Sequence, residues 1–176
     1  GSLSLRSNTT GSGSTAVGIY ALENNTTGMD NTAVGTQALK TNSTGSDNTA
    51  VGKNALQLNT TGYSNTALGV DALMVNTSGY RNTAIGSIAL RALTTGSENT
   101  AVGYNALGEL TIGTDNVGVG KWALLQTTTG SSNTALGVVA LAGNTTSSGN
   151  TAIGNAAIQI GPVGNDNTAV GNGAMR

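Results

Sequence analysis

From residue 14 onward, apolar and polar positions recur on a fixed beat. The stretch "NTAVGTQALKTNSTGSD" (31–47) is followed at once by "NTAVGKNALQLNTTGYS" (48–64). The residue that opens each unit is Ser14 and then Asn31, Asn48, Asn65, Asn82, Asn99, Asn116, Asn133, Asn150 and Asn167, a spacing of 17 every time. No insertion or deletion interrupts it, so every unit spans the same length of path, as a stacked solenoid requires. With the opening residue as position one, position five is Gly in every unit, from Gly18 to Gly171. Position eight is Ala from Ala21 to Ala174, and position nine is Leu except at Ile158 and Met175. Positions six, seven, ten, eleven, sixteen and seventeen accept almost any residue and read as turn or solvent-facing sites.

Each unit holds at least two glycines and a Thr-Thr-Gly-like punctuation, which disfavours helix. Two short strands fit better: positions two to four ("TAV") and positions eight to eleven, with turns after the Gly and at Asn-Thr-Thr-Gly. The chain, residues 1–176, is therefore predicted to be one all-β parallel β-solenoid of about ten coils. Alternation along the first strand puts Thr32 and Val34 on one face and Ala33 on the other. The branched apolar column (Val34, Val51, Leu68, Ile85, Val102) is expected to point inward with the position-nine Leu column, and Ala33 and its equivalents outward. That outward column is Ala in every unit except Gly118, so something packs closely on it. Two large apolar side chains per coil make a thin core for seventeen ordered residues. Burial of the Ala columns against neighbouring chains is the expected remedy.

Composition narrows the chemistry. Phe, Cys and His are absent, aromatic residues make up 3% of the chain, charged residues 9%, and the net charge is −1. Such a chain cannot fill an ordinary globular core, yet strict apolar columns are foreign to disorder. Without Cys there is no disulfide framework and no thiolate metal site, a pattern that suits an exterior bacterial or viral protein. No apolar run reaches membrane-span length, and no signal peptide is visible. Gly1-Ser2 reads as a cloning remnant, although Gly1 also falls in the glycine column, and the array reads as an excised part of something longer.

The "NTAVGxxAL" core resembles the "NSVAIGxxA" head repeats of trimeric autotransporter adhesins, and the longer "NTAVGxxALxxNTTGxx" unit is similar to repeats of phage tail fibres. The resemblance spans Ser14 to Met175. It implies a left-handed parallel β-roll assembled as a homotrimer, with the Ala columns near the threefold axis. It also implies an extracellular place on a bacterial surface or a virion fibre, and a role as rigid spacer and adhesive segment that meets a host-surface receptor or glycan. The unit here is longer than the adhesin repeat, which enlarges the "NTTG" turn, and Thr stands where the adhesin has Val. Nothing in the repeat chooses between adhesin and fibre.

No catalytic, cofactor or metal-binding residue is assigned. A nucleophile would have to be a Ser or Thr activated by a few scattered carboxylates. Asp30, Asp47, Asp115 and Asp166 share position seventeen and faintly resemble a calcium-binding column. The column continues as Ser64, Arg81, Glu98, Ser132 and Gly149, however, and an ion needs several oxygens. Turn-favouring Asp and an Arg81–Glu98 surface pair explain it. Near-neutral charge disfavours nucleic acid as a partner. Ice binding by a Thr array is the alternative function. Val117 at position two argues for an inward Thr column there, and Leu93, Leu110, Gly161 and Pro162 interrupt the "NTT" column. Tyr63 and Tyr80 are expected to stack about 5 Å apart on adjacent coils. With Tyr104 and Trp122 they are candidate carbohydrate contacts, and "N-T-T" also reads as a glycosylation acceptor.

Overall fold

The structure is a computed structural model in which residues 1–159 and 164–175 are described. Ten three-residue strands are present: β1 (Thr15–Val17), β2 (Thr32–Val34), β3 (Thr49–Val51), β4 (Thr66–Leu68), β5 (Thr83–Ile85), β6 (Thr100–Val102), β7 (Val117–Val119), β8 (Thr134–Leu136), β9 (Thr151–Ile153) and β10 (Thr168–Val170). They form a single parallel sheet in sequence order, and each residue pairs with the one seventeen places on, Thr32 with Thr49 and Ala33 with Ala50. The chain is thus a parallel β-solenoid of 17-residue coils, with no helix among the described residues. Nine steps of about 4.8 Å separate β1 from β10, giving a sheet roughly 43 Å long.

The second strand expected at positions eight to eleven does not form; those residues are turns. Positions seven and nine adopt positive φ in coil after coil, as at Gln37 (62°) and Leu39 (50°). This conformation turns successive N–H groups to opposite sides. Gln37 N donates back to Ile19 O at 2.9 Å, and Leu39 N donates forward to Ala55 O at 3.0 Å. Ala38 and Lys40 close on their own coil instead, through Gly35 O and Gln37 O. A left-handed Leu costs about 1–2 kcal/mol. Full burial of its side chain returns about 1.5–3 kcal/mol, and Leu39 is completely buried, so burial wins.

The strand faces opposite to expectation. Ala33, Ala50, Ala67, Ala84, Ala101, Ala135 and Ala152 are completely buried, whereas the Thr and branched columns on either side are half-buried or exposed. Leu68 is 46% and Ile85 37% exposed. The cause is volume, because the position-nine Leu and position-eight Ala already occupy the space across the coil. A Cβ on Gly118 would lie 3.3 Å from Leu107 Cγ, so it is the chain's own Leu column that restricts position three to small residues. The Ala columns are therefore not a seam between chains. Nor does the coil lack burial: its accessible surface of 7117 Å² does not exceed the about 7,800 Å² typical of a folded monomer of this mass.

Two polar ladders complete the interior. At position one, Asn65 Nδ2 donates to Asn48 Oδ1 at 3.1 Å and to Gly79 O at 2.9 Å, while its Oδ1 accepts from Asn82 N and Asn82 Nδ2. At position twelve, Asn42 Nδ2 donates to Asn25 Oδ1 and to Gly45 O, both at 2.8 Å. Position-five glycines allow this close stacking: Gly35 has φ 137°, and a Cβ there would lie 2.5 Å from Gly52 O.

Candidate interaction surface

With Ala inside, the outer face of the sheet presents Thr at position two and Val, Leu or Ile at position four. No charged residue occupies either column. Val17, Leu68, Ile85, Leu136, Ile153 and Val170 are 37–67% exposed. The columns run unbroken along the face, since every pair is in register without a bulge from β1 to β10. The hydroxyls of Thr32, Thr66, Thr83, Thr100 and Thr134 have no partner among the described residues. Val117 is 38% exposed on this outer face, so the Thr column it interrupts points outward and not into the coil.

The outer-turn Thr column behaves differently. Thr26 Oγ1 donates to Ser43 O at 2.9 Å and Thr60 Oγ1 to Thr77 O at 2.9 Å, so these hydroxyls cap the next coil's carbonyl. Asn25, Asn42, Asn59 and Asn76 are completely buried with their amides donating to backbone or ladder oxygens, which removes them as glycosylation acceptors in this fold; Asn8 of the first "NTT" is exposed. Leu93 and Leu110 replace Asn inside the core and are fully buried there. Gly161 and Pro162 lie outside the described residues.

The acidic column does not converge. Asp30, Asp47, Asp115 and Asp166 stand exposed at φ 55–59°, a left-handed turn conformation that Asp tolerates and that Gly149 shares at 72°. No group of three or more potential metal ligands gathers among the described residues. Arg81 Nη1 lies 2.9 Å from Glu98 Oε1 in the open, and that hydrogen bond raises the Arg81 pKa. Tyr63 and Tyr80 stack with centroids 5.0 Å apart and planes 3° from parallel, matching the expected column spacing. Tyr104 and Trp122 instead meet edge-on, at 6.4 Å and 63°.

These features define the class: a parallel β-solenoid with an unbroken, uncharged face of hydroxyls and branched apolar side chains, and aromatic residues at its corners. No protein-family model, curated protein or solved structure matches the chain. Among the described residues, no helix is long and apolar enough to cross a membrane.

Proposed function

We propose that this chain is a rigid, non-enzymatic structural segment of an extracellular assembly, a bacterial surface adhesin or a virion tail fibre, built as a homotrimer of left-handed rolls. Its adhesive contacts, to a host receptor or glycan, are made from the coil corners. The observation that carries the reading is the continuous apolar column at position four, exposed at Val17, Leu68, Ile85, Leu136, Ile153 and Val170 and half-buried at the residues between. A soluble chain that leaves a continuous apolar stripe uncovered has a partner for it. In a closed threefold ring of parallel rods the same column of every copy lines the shared axis. The seam proposed here is thus the Thr and Val columns, in place of the Ala columns. Light scattering should give three times the chain mass of 17.3 kDa. Leu68→Asp combined with Leu136→Asp should give a folded single chain. A wild-type monomer at micromolar concentration overturns the trimer.

A second reading, ice binding, has its own observation in the unpartnered position-two hydroxyls, which alternate with branched apolar groups on a rigid, uncharged plane. It uses the same face and therefore requires a single chain with that face open. Thermal hysteresis from a wild-type monomer, abolished by Thr83→Lys and Thr100→Lys, would establish it over the trimer.

A further inference from the structure

The chain has four Tyr, one Trp and no Phe, and none of the five aromatic side chains belongs to the core. Aromatic rings normally bury the largest area per residue. Here the solenoid packs without them and carries them at the corners. Tyr63 and Tyr80 cover each other's faces, and the Arg81 guanidinium sits 5.7 Å from the Tyr80 centroid. Tyr63 keeps 41% exposure, but the cation beside this pair, Arg81, is tied to Glu98. The other pair differs. Tyr104 is 49% exposed and meets the half-buried Trp122 edge-on at 63°, so the two rings are not closed face to face.

The backbone fixes this pair. Tyr104 and Trp122 occupy positions six and seven of adjacent coils, and Trp122 N donates to Tyr104 O at 3.0 Å. Ser87 precedes Tyr104 in the position-six column, and its hydroxyl has no partner among the described residues. The same is true of the Asn105 side-chain amide, which stands beside it at position seven. On the other side, Lys121 places its ammonium 3.9 Å above the Trp122 ring. The corner thus combines exposed aromatic surface with a hydroxyl, an amide and an ammonium free of carboxylate partners.

From this juxtaposition we infer that Tyr104, Trp122, Ser87, Asn105 and Lys121 form a glycan-binding site for a pyranose ring with a clear C–H face. The C–H face lies on the exposed Tyr104 ring, flanked by the Trp122 edge and the Lys121 ammonium above it, where apolar burial needs no desolvation of hydroxyls. The ring-edge oxygens take donors from Asn105, Ser87 and Lys121. The site rests on the adhesive part of the function proposed above. It gives that part a location in the coils that open at Asn82, Asn99 and Asn116.

Trp122 is the sole Trp of the chain, so its emission reports on this corner alone. The test titrates the full chain with neutral hexose oligosaccharides, N-acetylhexosamine oligosaccharides, uronate oligosaccharides and unglycosylated peptides. A saturable change in emission is expected with a glycan of the panel. Tyr104→Ser should weaken it at least about tenfold, and Tyr63→Ser should leave it unchanged. Ser is the natural residue of Ser87 in the same column, so the coil accepts the first variant. No saturable response to any glycan, a response to peptides alone, or equal loss from Tyr63→Ser overturns the site. The mass of the same sample separates the two proposals, because a sugar-binding monomer overturns the trimer and leaves the site. A trimer blind to glycans does the reverse.

Discussion

Consider replacement of one rung of the position-one ladder, Asn65→Ala. The side chain takes part in four hydrogen bonds of 2.9–3.1 Å, two donated and two accepted. Not all of their partners are orphaned. Gly79 O keeps the bond from Asn76 Nδ2, Asn48 Oδ1 keeps the one from Asn65 N, and Asn82 Nδ2 still reaches Gly96 O. Asn82 N has no substitute, and it sits in a completely buried residue. An orphaned buried donor costs about 1–3 kcal/mol and each lost bond with surviving alternatives less than that, so the sum is about 2–5 kcal/mol. In a chain of this length each kcal/mol moves the melting temperature by about 2–4 °C, which predicts a fall of about 4–20 °C. The paired variant is Asn76→Leu on the position-twelve ladder. Asn76 Oδ1 already lacks a partner, because the next rung is Leu93. The change transfers the orphan to Asn59 Oδ1 without adding one, and it extends the Leu93 and Leu110 run. Its effect should stay within about 1 kcal/mol. Thermal melts followed by circular dichroism compare the two. Equal shifts, or a larger loss from Asn76→Leu, would refute the ladder reasoning.

Ala84→Leu should destabilise by about 1–3 kcal/mol by overfilling its own coil. Thr83→Val on the outer face should change the melting temperature little, and light scattering should show that the Ala84→Leu loss is equal in single-chain and assembled samples. Gly35→Ala should prevent stacking of its coil, since the added Cβ meets Gly52 O at 2.5 Å with φ at 137°; loss of the β-sheet circular dichroism signal checks it. Chelation should leave the melting temperature unchanged. A calcium-dependent rise of several degrees would show that the position-seventeen Asp column holds an ion.

Much of the coil was legible because period and stereochemistry are local. The seventeen-residue spacing dictated one array with every strand in register. The Gly column marked the place where neighbouring backbones approach too closely for a Cβ. The Asp column read correctly as a turn, and the Tyr63–Tyr80 spacing followed from strand separation. The polar ladders were visible as recurrent Asn but not as core, because an Asn column fits a turn as well as it fits a buried stack. Only the carbonyls of Gly62 and Gly79, brought within reach of Asn48 and Asn65 as each coil closes on its own start, distinguish the two.

The sequence by itself determined the step, the length and the register of this solenoid, since a repeat without insertions leaves one way to stack equal coils. It could not determine which side of "TAV" lies inside. A three-residue strand supports either facing, and the larger side chains of Thr and Val argue for the wrong one. Position nine decided the matter in three dimensions: its Leu, bent inward by a positive φ, fills the cross-section and leaves room opposite only for a methyl group. Volume across the coil, which no count along the chain measures, put Ala in the core and turned the Thr and Val columns out to form the surface.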